Sequence, residues 1–590
     1  MSVEATAIDP VTLEVIRNGL PAITNEMSYD LQRTSYNMMI YEVRDYSCTL
    51  LDPQGRLLAQ NIGGVSHFIA DMGVIVQDGM EKHRAEGFAP GDVVMMNHPA
   101  VAGQHLNNVV IYTPFFIDGK LTAFPAVRAH WVDIGGLSTG FGPGTESFDP
   151  WCAGLQVDQL KIYEAGEPDE KLVKMIRDNI RFPENAMGDL RSQIAACRLA
   201  ERRLEDMYTR YGAEMIARAT QIIFDQTERR CRAAVETIPD GVYEAENLID
   251  DYRADAPPVY IHVKVTVEGS DMTIDFTGTA DQQVGNMNAR TMAAAYIAYK
   301  ALTAPSAAAN EGSFAGLKAI IPEGSIMMAT YPASTGNWSS VIAGSVDTVF
   351  RSLAEAIPDR IPAGHLGYMG IGRSFWGFDL RRNKSVILQS IDGGGWGGRP
   401  VGDGPSASVT VCQGDVRNAP IEAIELKTPV VVEERALRRD SGGPGKFRGG
   451  LGLSLSIRSL VDGRWGIPRD RRSNCPPWGL FGGEPGRRGA NWVKVPEGEW
   501  EKTNLVRFQT VAGTTVRGET PGGGGWGDPF DRDPARVLDD VLSGYVSIGA
   551  ALEDYGVVLG SDGNVVDVPA TADTRTKRRL ARTEPVDVDR

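Results

Sequence analysis

The chain has 590 residues, enough for about three or four structural units at roughly 100–200 residues each, and 42% hydrophobic with 23% charged residues is the make-up of a folded protein, not a disordered one. Sixty Lys and Arg against 76 Asp and Glu leave a net charge of −16, which argues against nucleic acid or an anionic membrane surface as the main partner. No stretch reaches the roughly 18 apolar residues of a membrane span, the N-terminus lacks the regions of a signal peptide, and the six cysteines are scattered, so a cytoplasmic protein without a disulfide scaffold is expected.

Asp9 as cap, Pro10 at the first helical position and Val11, Val15, Ile16 and Leu20 at helical spacing predict an opening helix. A hairpin follows at 46–60, turning at Asp52-Pro53-Gln54-Gly55. A second hairpin is predicted at 109–129, with Asp118-Gly119 as a type I′ turn. From Asp189, taken as a cap, a helical period runs to Tyr211, and another from 213 to 235; the two read as an antiparallel helix pair. Ile261, Val263, Val265 and Val267 alternate with polar residues and turn at 268–271 into the strand 272–276; a buried helix follows at 292–301.

The last third is different in kind. Three glycine clusters, 393–398, 441–445 and 522–527, separate short strands such as 453–457. No Gly-Lys-Ser/Thr follows any of them, so they read as architectural turns needing positive φ, not as phosphate cradles. Of the 67 glycines many fall in such turns, and loops that need a partner to order them are expected. The apolar-poor tail after Pro569 reads as either wrapping a partner or disordered. The fold class expected is multidomain α+β: a mixed helix and strand region at 1–186, the helix pair at 187–240, a mixed region at 241–430, a β-rich region at 431–568 and the tail at 569–590.

Three of the seven histidines, His98, His105 and His130, fall close together around the second hairpin. With Ile117 facing Lys120 across the turn, His130 lies opposite Asn107 and His105 opposite Val132. The two histidines then share one face as diagonal neighbours with Cα atoms about 7–8 Å apart, within reach of one ion. Imidazoles suit Zn, Mn or Fe, and a carboxylate or amide oxygen would complete the site. Asn108 and Asp133 are the nearest oxygen donors. Regular strands put both on the opposite face, so one of them joins only through a bulge, or if the strand starts late. As ligands the histidines are expected to be exposed and to contribute little to the core; the competing reading is two polar histidines that merely lie at a strand end. His262 reads as a solvated strand residue; His67, His83 and His365 show no partner. No Gly-x-Ser-x-Gly elbow, zincin helix or phosphate loop occurs.

Several ordered motifs resemble the hydantoinase B/oxoprolinase family: Asp9-Pro10-Val11-Thr12-Leu13-Glu14-Val15-Ile16, Asp45-Tyr46-Ser47-Cys48, Arg128-Ala129-His130-Trp131-Val132-Asp133, Gly188-Asp189-Leu190-Arg191, Asp440-Ser441-Gly442-Gly443-Pro444-Gly445 and Gly524-Gly525-Trp526-Gly527-Asp528-Pro529. The resemblance runs from about residue 9 to 560. It implies a subunit that works with a hydantoinase A-type partner, which carries ATP and Mg, on a cyclic amide or a ketone. The family's metal motif, Gly-Thr-His-Leu-Pro-Asp with a later Arg-Ala-His, reads here Gly103-Gln104-His105-Leu106-Asn107-Asn108 and Arg128-Ala129-His130. It implies one divalent ion (Zn, Mn or Fe) on His105 and His130, with Asn108 in place of the family's aspartate and Asp133 as a possible compensating ligand. His98 replaces the aspartate of the family's Asn-Asp-Pro. The expected functions are an ATP-dependent cyclic amide hydrolase subunit, a ketone carboxylase subunit, or a non-catalytic scaffold whose site has decayed.

Overall fold

The computed structural model describes residues 8–137, 148–251, 253, 256–368, 373–467, 472, 474–503 and 507–583. Its first sheet contains β1 (Tyr46–Leu51), β2 (Leu57–Gln60), β3 (Val93–Met96), β4 (Asn108–Tyr112), β5 (Phe115–Ile117), β6 (Lys120–His130), β7 (Leu160–Glu164) and β8 (Glu167–Pro168). They lie in the order β2-β1-β6-β4-β3-β7-β8, with β5 paired to β6. β6 is long and central, and its pleat sorts the surroundings. Val127 and Ala129 face the helices Pro10–Thr34 and Pro183–Tyr211, while Phe124 and Ala126 face the helix Ile69–Lys82.

The second sheet is formed by β9 (Gly241–Ile249), β10 (Val259–Glu268), β11 (Asp271–Asp275) and β12 (Leu317–Ile320). The alternating valines of β10 pack inward with the helices Ala293–Thr303 and Trp338–Ser352. The last nine strands are β13 (Arg373–Asp379), β14 (Lys384–Ser390), β15 (Val430–Leu437), β16 (Leu453–Ser459), β17 (Gly463–Gly466), β18 (Ala490–Lys494), β19 (Glu501–Lys502), β20 (Arg507–Thr510) and β21 (Thr515–Glu519). They divide into a sheet β14-β13-β17-β20 and a sheet β15-β16-β21-β18-β19. The class is α+β. Among the described residues no helix is long and apolar enough to cross a membrane.

Asp9 caps the first helix by accepting from Thr12 N at 3.0 Å, as its sequence predicts. Asp189 does not cap the next long helix, which starts at Pro183 and carries Asp189 inside it. The carboxylate instead accepts from Tyr36 N and Asn37 N, tying this helix to the end of the first. The two helices at 183–235 are likewise not mainly each other's partners: Pro183–Tyr211 packs along Pro10–Thr34. Period alone shows an apolar face but not what covers it.

Burial pushes the Asp189 carboxyl from 3.8 up to about 7, against the pull of its two backbone N–H donors. A carboxyl raised in the folded state binds its proton more tightly there, so its burial lowers stability progressively as pH rises from about 4 to 7. Asp189→Asn keeps an acceptor for both N–H groups and removes the charge. It is expected to melt above wild type at pH 8 and to lose that advantage at pH 4, as thermal melts at the two pH values would show.

The glycine clusters are architectural, but positive φ is not the reason. Of their glycines only Gly527 has one. The three clusters lie against one another: Gly443 N donates to Gly523 O and Gly398 N to Gly524 O, and Gly523 N donates to Gly450 O beside them, at 2.7–2.9 Å. A Cβ on Gly395 would stand 2.0 Å from Gly450 O, and one on Gly523 1.9 Å from Trp396 O. Backbone meets backbone where side chains do not fit, so these segments order one another within the chain. Of the two readings of the tail, disorder does not hold for its described residues. The tail is helical over Val568–Thr583, and Arg575 donates to Tyr555 O and Arg532 O.

Candidate metal centre

The turn of the histidine hairpin forms as predicted, with φ of 49° at Asp118 and 73° at Gly119. Beyond it Ile117 faces Lys120 and Phe116 faces Leu121, but Phe115 faces Ala123. Thr122 is the extra residue of a bulge, and from there the register is shifted by one. His130 consequently faces Asn108, not Asn107. This corrects the expected register and brings Asn108 onto the face of His130. His105 lies in the turn just before β4, held by the bond from Asn108 N to His105 O.

The histidine rings stand with centroids 4.9 Å apart and planes 85° to each other. Two imidazoles sharing one ion at the usual Zn–N of about 2.1 Å have centroids roughly 4.6–5.3 Å apart, so the pair is spaced for a common ion. Neither is exposed: His105 is 7% accessible and His130 is wholly buried. The expectation of an exposed ligand pair is therefore overturned. Burial holds the His105 imidazolium down at about 4 and that of His130 well below its ordinary value. Both rings are neutral at pH 7, the state in which imidazole ligates.

Asn108 is oriented by a chain of hydrogen bonds. Its Nδ2 donates to Gln104 Oε1 at 2.8 Å, and Gln104 Nε2 donates to Asp71 Oδ2 at 2.7 Å. Asp71 also accepts from Thr291 Oγ1 and is paired with Arg128 at 3.0 Å. With the amide nitrogen committed, Asn108 turns its oxygen edge to the His105 ring and favours its protonated form, while neither Asn108 Oδ1 nor His105 Nε2 makes a well-formed hydrogen bond. These are the atoms a metal ion would take.

Asp133 does not join them. Its carboxylate accepts from Arg181 N at 2.8 Å and Gly135 N at 3.3 Å and is ion-paired with Arg181 Nη1 at 3.1 Å. Those bonds hold the loop before the helix Pro183–Tyr211 and occupy both oxygens. Asp45 was missed. Tyr46 faces Ala129 across β1 and β6, and His130 N donates to Asp45 O, so Asp45 continues the register opposite His130. Asp45, His130 and Asn108 thus share one face across three adjacent strands. Both Asp45 carboxylate oxygens are buried without a hydrogen-bond partner, and burial raises the carboxyl to about 7 against the pull of Arg128. The motif Asp45-Tyr46-Ser47-Cys48 held the signal; the pairing of β1 with β6 gives it meaning. Among the described residues no three His, Cys, Asp or Glu side chains are gathered so that they could hold a metal ion; the side chain facing His130 across the sheet is the Asn108 amide.

The other histidines have found their partners. His67 Nδ1 donates to Cys412 O at 2.8 Å, and its ring lies 4.2 Å from that of Trp338, which in turn lies 5.8 Å from His105. His98 packs on Tyr331, His83 meets Gln159 O, and His365 bonds Asp347. His262 is half-buried and bonds Thr277 O, so it is not simply solvated. His98 is thus occupied outside the pair.

The pattern of the hydantoinase B/oxoprolinase family matches residues 9–529. The chain belongs to that family. A putative D-/L-hydantoinase B-type subunit from Pseudomonas sp. (strain NS671) is 30% identical, covering 96% of this chain and 98% of its own. The crystal structure of the ATP-dependent caprolactamase from Pseudomonas jessenii is similar with a TM-score of 0.89 at 26% identity, covering 97% of this chain and 100% of that one. A nucleotide-free acetone carboxylase structure matches with a TM-score of 0.88 over 98% of this chain and 84% of that one; at 19% identity it shows the fold alone. The candidate site in this chain is the histidine face, built where the first sheet meets Trp338.

Proposed function

We propose that this chain is a subunit of a hetero-oligomeric, ATP-dependent enzyme that hydrolyses a cyclic amide of the hydantoin, oxoproline or lactam type through a phosphorylated intermediate. A hydantoinase A-type partner would hold ATP and Mg, in keeping with relatives named as subunits and with the absence of a phosphate loop in this sequence. The observation that carries the reading is the buried trio His105, His130 and Asn108, with the two imidazole centroids 4.9 Å apart and neither His105 Nε2 nor Asn108 Oδ1 in a well-formed hydrogen bond.

An unstrained lactam resists attack by water, and phosphorylating its carbonyl oxygen supplies a leaving group. One divalent ion (Zn, Mn or Fe) held by His105, His130 and Asn108, with Asp45 on the same face, would supply Lewis acidity and a water of lowered pKa. Asp71 and Gln104 orient the Asn108 amide. Arg128 is anchored to Asp71 through Nη1, and its Nε is buried without a partner, so it can donate to an oxyanion on this face. Trp338, itself packed on His67, lies edge-on to the His105 ring, and Trp338 and His67 are both wholly buried.

Reconstituting the chain with its partner and measuring ATP hydrolysis against hydantoin, 5-oxoproline and caprolactam tests the reading. Amide-dependent turnover supports it. Turnover that needs acetone or acetophenone with bicarbonate would make it a carboxylase subunit, and no turnover with any substrate in an intact complex would leave a scaffold. The chain alone is expected to bind no ATP stoichiometrically.

Asn108→Asp offers a second check, because it adds a charged donor at the same position. Metal affinity is expected to rise at least tenfold, read by competition with a chelator. An unchanged affinity would remove Asn108 from the ligand set.

A further inference from the structure

The joint between the two C-terminal sheets holds another buried polar cluster, built from none of the residues above. Arg373 opens β13, is wholly buried and faces Ser390 of β14. Its Nη1 donates to Leu455 O of β16 at 3.2 Å. Leu455 pairs on one side with Arg435 of β15 and on the other with Gly518 of β21, which pairs in turn with Asn491 of β18. These four form one row across the sheet, and the Arg373 guanidinium lies on it. A Cβ on Gly518 would stand 1.7 Å from Arg373 Nη2, so only glycine leaves room for that side chain.

Arg435 is held in the same way, its Nη1 donating to Ala419 O at 2.9 Å. Each arginine is thus anchored through Nη1, and each has a buried Nε and Nη2 with no hydrogen-bond partner. Nε and Nη2 form one edge of the guanidinium, the edge that meets a planar carboxylate with two parallel hydrogen bonds. Two such edges are unused here. Asp392, two residues beyond Ser390 and wholly buried, stands 3.6 Å from Arg373 on the Nη1 side, and neither its oxygens nor Ser390 Oγ has a hydrogen-bond partner. With Asp392 ionised, two guanidinium charges against one carboxylate leave an excess of one positive charge around the buried Nε and Nη2 donors, where unpaired charge and unmet donors are most costly.

We propose that this cluster binds a small planar monoanion, an organic carboxylate or bicarbonate, through the Nε/Nη2 edges of Arg373 and Arg435. Asp392 sets the charge: one anionic unit neutralises the site, and a phosphate dianion overshoots it. The proposal does not rest on the histidine centre, and its readout is binding without turnover.

The test is isothermal titration of the full chain with sodium acetate, sodium bicarbonate and sodium phosphate, against sodium chloride at constant ionic strength. Saturable 1:1 binding of acetate or bicarbonate, at least tenfold tighter than phosphate, is expected; acetate alone assigns an organic carboxylate, and bicarbonate alone assigns bicarbonate. Arg435→Gln, at a partly exposed side chain, should weaken that binding at least tenfold with an unchanged circular dichroism spectrum. Asp392→Asn should move the preference toward phosphate. No saturable binding of any anion, equal binding by a folded Arg435→Gln, or a wild-type preference for phosphate overturns the proposal. Should Arg435→Gln fail to fold, an Asp392→Asn protein with unaltered anion preference overturns it as well.

Discussion

His105→Ala is expected to strip the chain of its divalent ion and to end ATP-coupled turnover in the assembled complex. The variant removes one of two imidazoles whose rings stand 4.9 Å apart and leaves a single histidine beside a neutral amide. Losing a ligand from so small a set should lower metal affinity by roughly a hundredfold or more, beyond the effect of disturbing an outer hydrogen bond. Because His105 is only 7% exposed, the truncation also leaves a cavity, and a stability loss of about 2–4 kcal/mol is expected with it. Metal content by elemental analysis after dialysis, measured beside the melting temperature, separates the two effects. Equal metal in wild type and variant, or none in either after supplementation, would reduce the pair to packed core histidines.

Gly523→Ala carries the other large effect. The new methyl would stand 1.9 Å from the Trp396 carbonyl oxygen, a backbone atom that cannot rotate away. Gly523 N is bonded to Gly450 O and its carbonyl to Gly443 N, so moving the strand aside breaks contacts to two further segments. Overpacking against ordinary side chains costs about 1–3 kcal/mol. Here the neighbours are backbone on more than one side, and a loss of roughly 4 kcal/mol or failure to fold is expected. Gly269→Ala is the control: nothing stands within 4 Å of its added methyl, only the positive φ opposes it, and a much smaller loss is expected. Chemical denaturation of the two variants decides it; equal stability would show that the clusters do not interlock.

Local chemistry was legible in the sequence because it acts over a few residues. The Asp9 cap, the hairpin at 46–60, the Asp118-Gly119 turn and the β10–β11 hairpin all form where spacing and turn residues place them. Asp189 shows the limit: its side chain suits a cap, but Pro183 can start the helix earlier, and the carboxylate then serves Tyr36 and Asn37 from inside it. The glycine clusters show another. Their architectural role follows from composition, whereas the close approach of three distant backbones is a property of the assembled sheets.

The sequence by itself determined the family, the α+β class, the short-range elements and the two histidines that anchor the candidate site, because caps, turns and alternation depend on neighbours along the chain. The tertiary structure decided which side chains share the histidine face. One extra residue at Thr122 slips the β4–β6 register and turns Asn108 toward His130. The pairing of β1 with β6 brings Asp45 to the same face, while Arg181 draws Asp133 away. Strand side chains alternate with a period of two, so a one-residue shift reverses which face a residue occupies, and which strands pair is settled by burial across the whole sheet.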